Sequence, residues 1–192
     1  MPRQNGAHDE REANNVLPPF DFSEPLGLTV MQRMERAVGT VKARHEATEY
    51  DKYNNYPSVP PLGATDLELT ELQHQLGVEF PAEYTEFLRH WRYVDIGTGL
   101  NIYGLDYADF HPTAPVWVSD EHMEGSSCLV IADCFQYADG DQLLVPIHGR
   151  MGQEAVLLYL HEDGPKFEVF APSFSLALWR LVFEDLEDDE WE

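Results

Sequence analysis

A chain of 192 residues accommodates one ordinary domain with an added segment, and its 43% apolar and 12% aromatic content predicts a packed core rather than a disordered chain. The outlying quantity is charge: 12 Lys and Arg against 35 Asp and Glu give a formal net charge of -23. Nucleic acid and anionic membrane are therefore poor partners, whereas a one-signed surface steers a cationic partner toward it.

The charge is unevenly placed. Residues 1–52 hold 7 basic and 9 acidic side chains, and residues 53–192 hold 5 and 26, so the second part carries nearly all of the field. Acidification of a whole proteome, as in halophiles, is the competing source of such a balance. The two cysteines, Cys128 and Cys134, do not make a secreted disulfide framework. With no apolar segment after the polar N-terminus and no run of 18 apolar residues, the expectation is a soluble cytoplasmic protein.

In chain order, residues 1–27 read as a polar and then Pro- and Gly-rich arm. From Thr29 to about Tyr50 the residues Val30, Met31, Met34, Ala37, Val38 and Val41 recur at helical spacing behind a Thr29 cap, predicting an accessory helix. Pro57, Pro60 and Pro61 then forbid helix, which predicts a linker or an edge covering for the next unit. Thr65-Asp66 caps a helix carrying Leu67, Leu69, Leu72 and Leu76 that stops at Gly77. Pro81 opens a second helix, whose Tyr84, Phe87, Leu88 and Trp91 form one bulky face.

Beyond Trp91 the pattern predicts antiparallel strands at Leu100–Leu105, Ala114–Val118, Cys128–Phe135, Gln142–Ile147, Ala155–Leu160 and Phe167–Phe170, separated by turns such as Asp139-Gly140-Asp141. Cys128 and Cys134 share parity on one strand and are expected to point the same way into the core. A closing helix capped by Ser173 or Ser175 uses Phe174, Ala177, Leu178, Leu181 and Val182, and the chain then ends in Glu184–Glu192, seven of nine residues acidic.

The segment LGVEFPAEYTEFL at residues 76–88 resembles the signature of the SMI1/KNR4 family of the SUKH superfamily. Tyr103-Gly104-Leu105, Leu129–Ala132, the Asp139-Gly140-Asp141 turn, Leu157–His161 with Gly164, and Ala171–Leu178 follow in the family's order. Arg89-His90-Trp91-Arg92-Tyr93 departs from the asparagine-glycine that members often carry after the second helix. The resemblance implies an α+β domain at residues 64–183. Its antiparallel sheet of about six strands would pack with an N-terminal helix pair and a C-terminal helix. Residues 1–63 would add an arm, an extra helix and a Pro-rich linker, and residues 184–192 an acidic tail. It further implies a binding module of the bacterial immunity-protein type, with a basic protein partner such as a cognate nuclease toxin. A regulatory or scaffolding adaptor of the same fold is the alternative.

The residues themselves supply no nucleophile elbow, zinc-protease helix, phosphate loop or CxxC pair, so neither catalysis nor a cofactor is expected. Asp106, Asp109 and His111 are the nearest approach to a metal or hydrolase cluster and read as a solvated loop. The candidate partner-binding residues are Tyr103, Asp106, Tyr107, Asp109 and Phe110, where aromatic anchors sit within an acidic rim, together with Asp139 and Asp141. The tail adds Glu184, Asp185, Glu187, Asp188, Asp189 and Glu190, with Trp191 as an anchor.

Overall fold

The computed structural model describes residues 19–49, 52, 57–97, 100–105, 113–117, 127–134, 140–148, 154–160 and 166–184. The elements are helices α1 (Ser23–Leu26), α2 (Val30–Thr48), α3 (Asp66–Leu76) and α4 (Ala82–His90), then strands β1 (Val94–Gly97), β2 (Leu100–Ile102), β3 (Thr113–Trp117), β4 (Ser127–Cys134), β5 (Gln142–His148), β6 (Val156–Leu160) and β7 (Lys166–Ala171), and finally helix α5 (Phe174–Phe183). This is the expected α+β architecture. The sheet is antiparallel in the order β1-β2-β4-β5-β6-β7, with β3 paired to the first half of β4, on Ser127–Val130, and β2 to its second half.

The arm is tied down at its described end. Asp21 accepts hydrogen bonds from the Ser23 N–H (2.8 Å) and hydroxyl (2.9 Å), starting the α1 turn, and Phe22 packs on the core. Helix α2 opens with a reciprocal capping box: Gln32 N–H donates to Thr29 Oγ1 at 3.3 Å and Thr29 N–H to Gln32 Oε1 at 2.9 Å. Its buried stripe, Met34, Ala37, Val38 and Val41, belongs to the main hydrophobic core and packs against α5. The helix is thus part of the core rather than an accessory to it.

The Pro-rich segment covers the sheet edge. Asp95 N–H on β1 donates to the Ser58 carbonyl at 2.9 Å, Tyr93 hydroxyl donates to the Pro57 carbonyl at 2.9 Å, and His45 Nε2 of α2 lies 3.2 Å from the Ile96 carbonyl. Occupying the outward polar groups of an edge strand removes a template for further strand pairing. Strand β1 itself was not among the expected strands.

A second capping box, Thr65 with Glu68, starts α3, and Gly77 ends it in the left-handed conformation at φ 69. Leu69 faces the core, but Leu67 is 68% exposed and leaves the expected apolar set. On α4, Tyr84 and Phe87 meet Phe174 of α5 at ring-centroid distances of 5.2 and 5.1 Å, while Trp91 is only half-buried against Phe87. Ser173 occupies the N-cap position of α5 without capping it by its side chain. The cap comes from α4 instead, where the Glu83 carboxylate accepts the Ser175 N–H at 2.7 Å.

The two cysteines point to opposite sides of the sheet. Cys134 lies in the main core, whereas Cys128 joins Tyr103, Val130, Leu144 and Leu157 in a smaller cluster. The cause is a register shift between Val130 and Ala132 opposite β5, which puts Ile131 and Ala132 both in the main core and inverts parity downstream.

Candidate functional site

Three of the residues singled out on sequence have described side chains, and all three are drawn into the folded body. Tyr103 follows β2 and is 6% exposed. Its hydroxyl donates to Asp133 Oδ1, and its carbonyl accepts the Tyr84 hydroxyl at 2.8 Å. Burial raises the Asp133 carboxyl, opposed by the hydrogen bonds from Tyr103 and Gln142, and burial likewise raises the Tyr103 phenol. Tyr103 is therefore a neutral donor fixed to its own sheet.

Asp141 has no exposed surface, and its carbonyl accepts the Cys134 N–H at 2.9 Å. The turn before it needs Gly140 at φ 95, a conformation that side chains disfavour. Glu184 accepts from Arg180 Nε at 2.9 Å and Nη2 at 2.7 Å. Arg180, 3% exposed, also donates Nη1 to the Phe170 carbonyl at 3.0 Å and sits 4.6 Å from the Phe170 ring centroid. Asp106, Tyr107, Asp109, Phe110, His111, Asp139, Asp185, Glu187, Asp188, Asp189, Glu190 and Trp191 lie outside the described residues.

The described arginines of the body are each committed to carboxylates. Arg89 bonds Asp66 at 3.0 Å and Glu86 at 3.2 Å, Arg92 bonds Glu68 at 2.6 Å, and Arg180 bonds Glu184 at 2.7 Å. Arg92 also donates to the Gly63 carbonyl at 3.3 Å, and its own carbonyl accepts the Leu105 N–H at 2.9 Å. Arg92 thus joins the start of α3 to the segment after β2. The i,i+4 spacing of Arg180 and Glu184 signals their pair in the sequence. Nothing local signals that Glu83 reaches a helix start 92 residues away.

Open grooves indent the described surface. One of about 660 Å³ runs beneath the end of α3, lined by Gln73, His74, Glu79, Phe80 and Ile147. Two others, of about 350 and 450 Å³, flank Pro60 and Pro61, lined by Glu35, Lys42 and Trp91 on one side and by Glu68, Arg92 and Tyr93 on the other. Exposed Leu62 belongs to the second, and exposed Leu67 adjoins Glu68 in sequence. Among the described residues no group of three or more His, Cys, Asp or Glu could hold a metal ion. The Cys128 thiol is pushed up to about 11 by burial and that of Cys134 further still, so neither is a thiolate near neutral pH. No helix among the described residues is long and apolar enough to cross a membrane.

A helix pair, an antiparallel sheet and a closing helix define a small α+β domain. Residues 63–178 match the SMI1 / KNR4 family (SUKH-1), more than half of the chain, and the protein belongs to that family. The sequence matches none of the curated proteins. Membership supports an immunity-protein-like role at the level of the family.

Proposed function

We propose that the protein is an immunity protein that binds and neutralises a cationic toxin, a nuclease effector, by forming a stoichiometric complex in the cytoplasm. The observation that supports this reading is the excess of acid in residues 53–192, 26 acidic against 5 basic side chains, with Arg89, Arg92 and Arg180 each already spent on a carboxylate of the body. A nuclease holds phosphate through Lys and Arg, so an acidic surface competes for the same groups. Asp106, Tyr107, Asp109, Phe110 and Asp139 would make the contact, joined by Asp185, Glu187, Asp188, Asp189 and Glu190 of the tail. Tyr103, Asp141 and Glu184 would anchor the chain beside these segments.

The test is a pull-down with the product of the neighbouring gene, followed by rescue of growth on co-expression. Charge reversal of Asp106 and Asp109 is expected to weaken the complex, and raising salt to slow its association by roughly 10-fold or more. A confirmed complex indifferent to both changes would overturn electrostatic capture.

A further inference from the structure

Helix α2 and the segment after α5 both lie outside the family match, and they carry opposite charge. At about 100° per residue, Arg33, Arg36 and Arg44 fall on one flank of the buried stripe of α2, while Glu35, Lys42 and Glu46 fall on the other. The second flank faces the Pro-rich segment, since Glu35 and Lys42 line a groove with Val59, Pro60 and Pro61. The arginine flank lies beside α5, where the Arg36 guanidinium sits 5.1 Å from the Trp179 ring centroid. Arg36 pairs with Glu24 at 2.8 Å. Among the described residues Arg33 and Arg44 have no ion pair, and Arg33 Nε is shielded from solvent without an acceptor.

Helix α5 delivers an acidic chain to this flank. The Trp179 ring contacts that of Phe183 at a centroid distance of 4.4 Å, and the next residue, Glu184, leaves the helix with an extended backbone at φ -69 and ψ 112. Residues 185–192 follow, with six carboxylates. Eight extended residues reach about 26 Å. Arg33 and Arg44 stand about 16 Å apart along the helix. The arginines of the body are already paired, as Arg36 is with Glu24, which leaves Arg33 and Arg44 of this flank as the complementary charges near the point where the acidic segment starts.

We propose that residues 185–192 dock along the flank of α2 that carries Arg33 and Arg44 in the free protein, as an internal acidic ligand that a more strongly cationic partner displaces. The docking is independent of the immunity reading; only the displacement rests on it. By holding the tail, α2 would keep its charge from weakly basic proteins and release it to a partner whose cations outcompete these two arginines.

The test compares amide spectra of the isotope-labelled full chain and of a chain ending at Glu184. At low salt, differences are expected along Arg33–Arg44, and they are expected to collapse at about 0.5 M salt, where screening acts within a few ångströms. A synthetic peptide of residues 184–192 should restore the full-length spectrum when added to the truncated chain. Its affinity should fall about fivefold or more with R33E/R44E, or measurably with R44E alone should the double variant fail to fold. Differences that miss α2, that persist at high salt, or a peptide that binds the variants as tightly would overturn docking. Adding polylysine to the full chain should return the α2 signals to their truncated positions. Docked signals that polylysine leaves in place would refute displacement alone, and a failed toxin pull-down would leave the docking result standing.

Discussion

Two Gly→Ala substitutions in this chain are expected to act with opposite sign. Gly104, in the Tyr103-Gly104-Leu105 segment, is buried against the chain between α4 and β1. A Cβ there would lie 1.5 Å from the Arg92 carbonyl oxygen, 2.6 Å from its carbon and 2.9 Å from Leu88 Cδ2. Ordinary carbon–oxygen contact begins at about 3.3 Å, so the backbone must part by roughly 2 Å. That movement breaks the 2.9 Å hydrogen bond from Leu105 N–H to the same carbonyl. Overpacking costs about 1–3 kcal/mol and an unsatisfied buried backbone group about 1–3 kcal/mol, which together put G104A about 2–6 kcal/mol below the parent. At a urea slope of about 2 kcal/mol/M the unfolding midpoint falls by roughly 2 M. Gly39 is the counterpart: it lies inside α2, is exposed, and a Cβ there meets nothing within 4 Å. G39A should stabilise by about 0.5–1 kcal/mol through helix propensity. A loss under about 1 kcal/mol for G104A would refute the close approach of Gly104 to Arg92, and a loss for G39A would refute the open space beside Gly39.

Three further outcomes follow from single contacts. Arg92, then the Thr65 N–H and hydroxyl, hold the Glu68 carboxyl at about 2 against an ordinary 4.5. A depressed folded value gives stability that is present above the ordinary value and is lost as pH falls from about 4.5 toward about 2. Glu68→Gln should therefore flatten the acid limb of the stability profile in that window, and an unchanged limb would refute the assignment. Glu83→Ala removes the cap that α4 supplies to α5 and should cost about 1 kcal/mol in urea melts, whereas Ser173→Ala, which loses no side-chain cap bond, should cost less. Both cysteine thiols are buried and raised, so alkylation at pH 8 should await unfolding; rapid labelling of the native chain would contradict their placement.

What was legible in the sequence was whatever is encoded locally. Thr29, Thr65 and Gly77 mark helix ends because a hydroxyl or a missing Cβ acts within three or four residues, and the apolar stripe of α2 follows from period alone. The illegible features depend on partners far along the chain. Parity put both cysteines on one face, and a one-residue shift opposite β5 separates them. Ser173 looked like the cap of α5, yet Glu83 performs that task from another helix. Asp141 looked like turn surface because Gly140 beside it is a turn residue, but the pairing of Asp141 with Cys134 places it inside. The site residues suffer most from this limit, since a charged residue in a connector reads alike whether it meets solvent or the core.

Charge placement also bears on why the chain is acidic at all. Within residues 57–184, Asp66, Glu68, Glu86 and Glu184 neutralise arginines, Glu83 caps a helix, Asp95 holds the Gly97 N–H, and Asp133 and Asp141 are drawn into the sheet. Such acids add little to an external field. Glu71, Glu79 and Glu154 are exposed on the described surface, and the sequence places further acids in residues 106–124, at Glu162-Asp163 and in residues 185–192. A protein acidified only to match its proteome would be expected to carry acid on its exposed helix faces as well. Helix α2 does the reverse, with Arg33, Arg36, Lys42 and Arg44 against Glu35 and Glu46. A cationic helix beside an acidic body makes a polar molecule rather than a uniformly coated one, and polarity of that kind orients an approaching partner as well as attracting it.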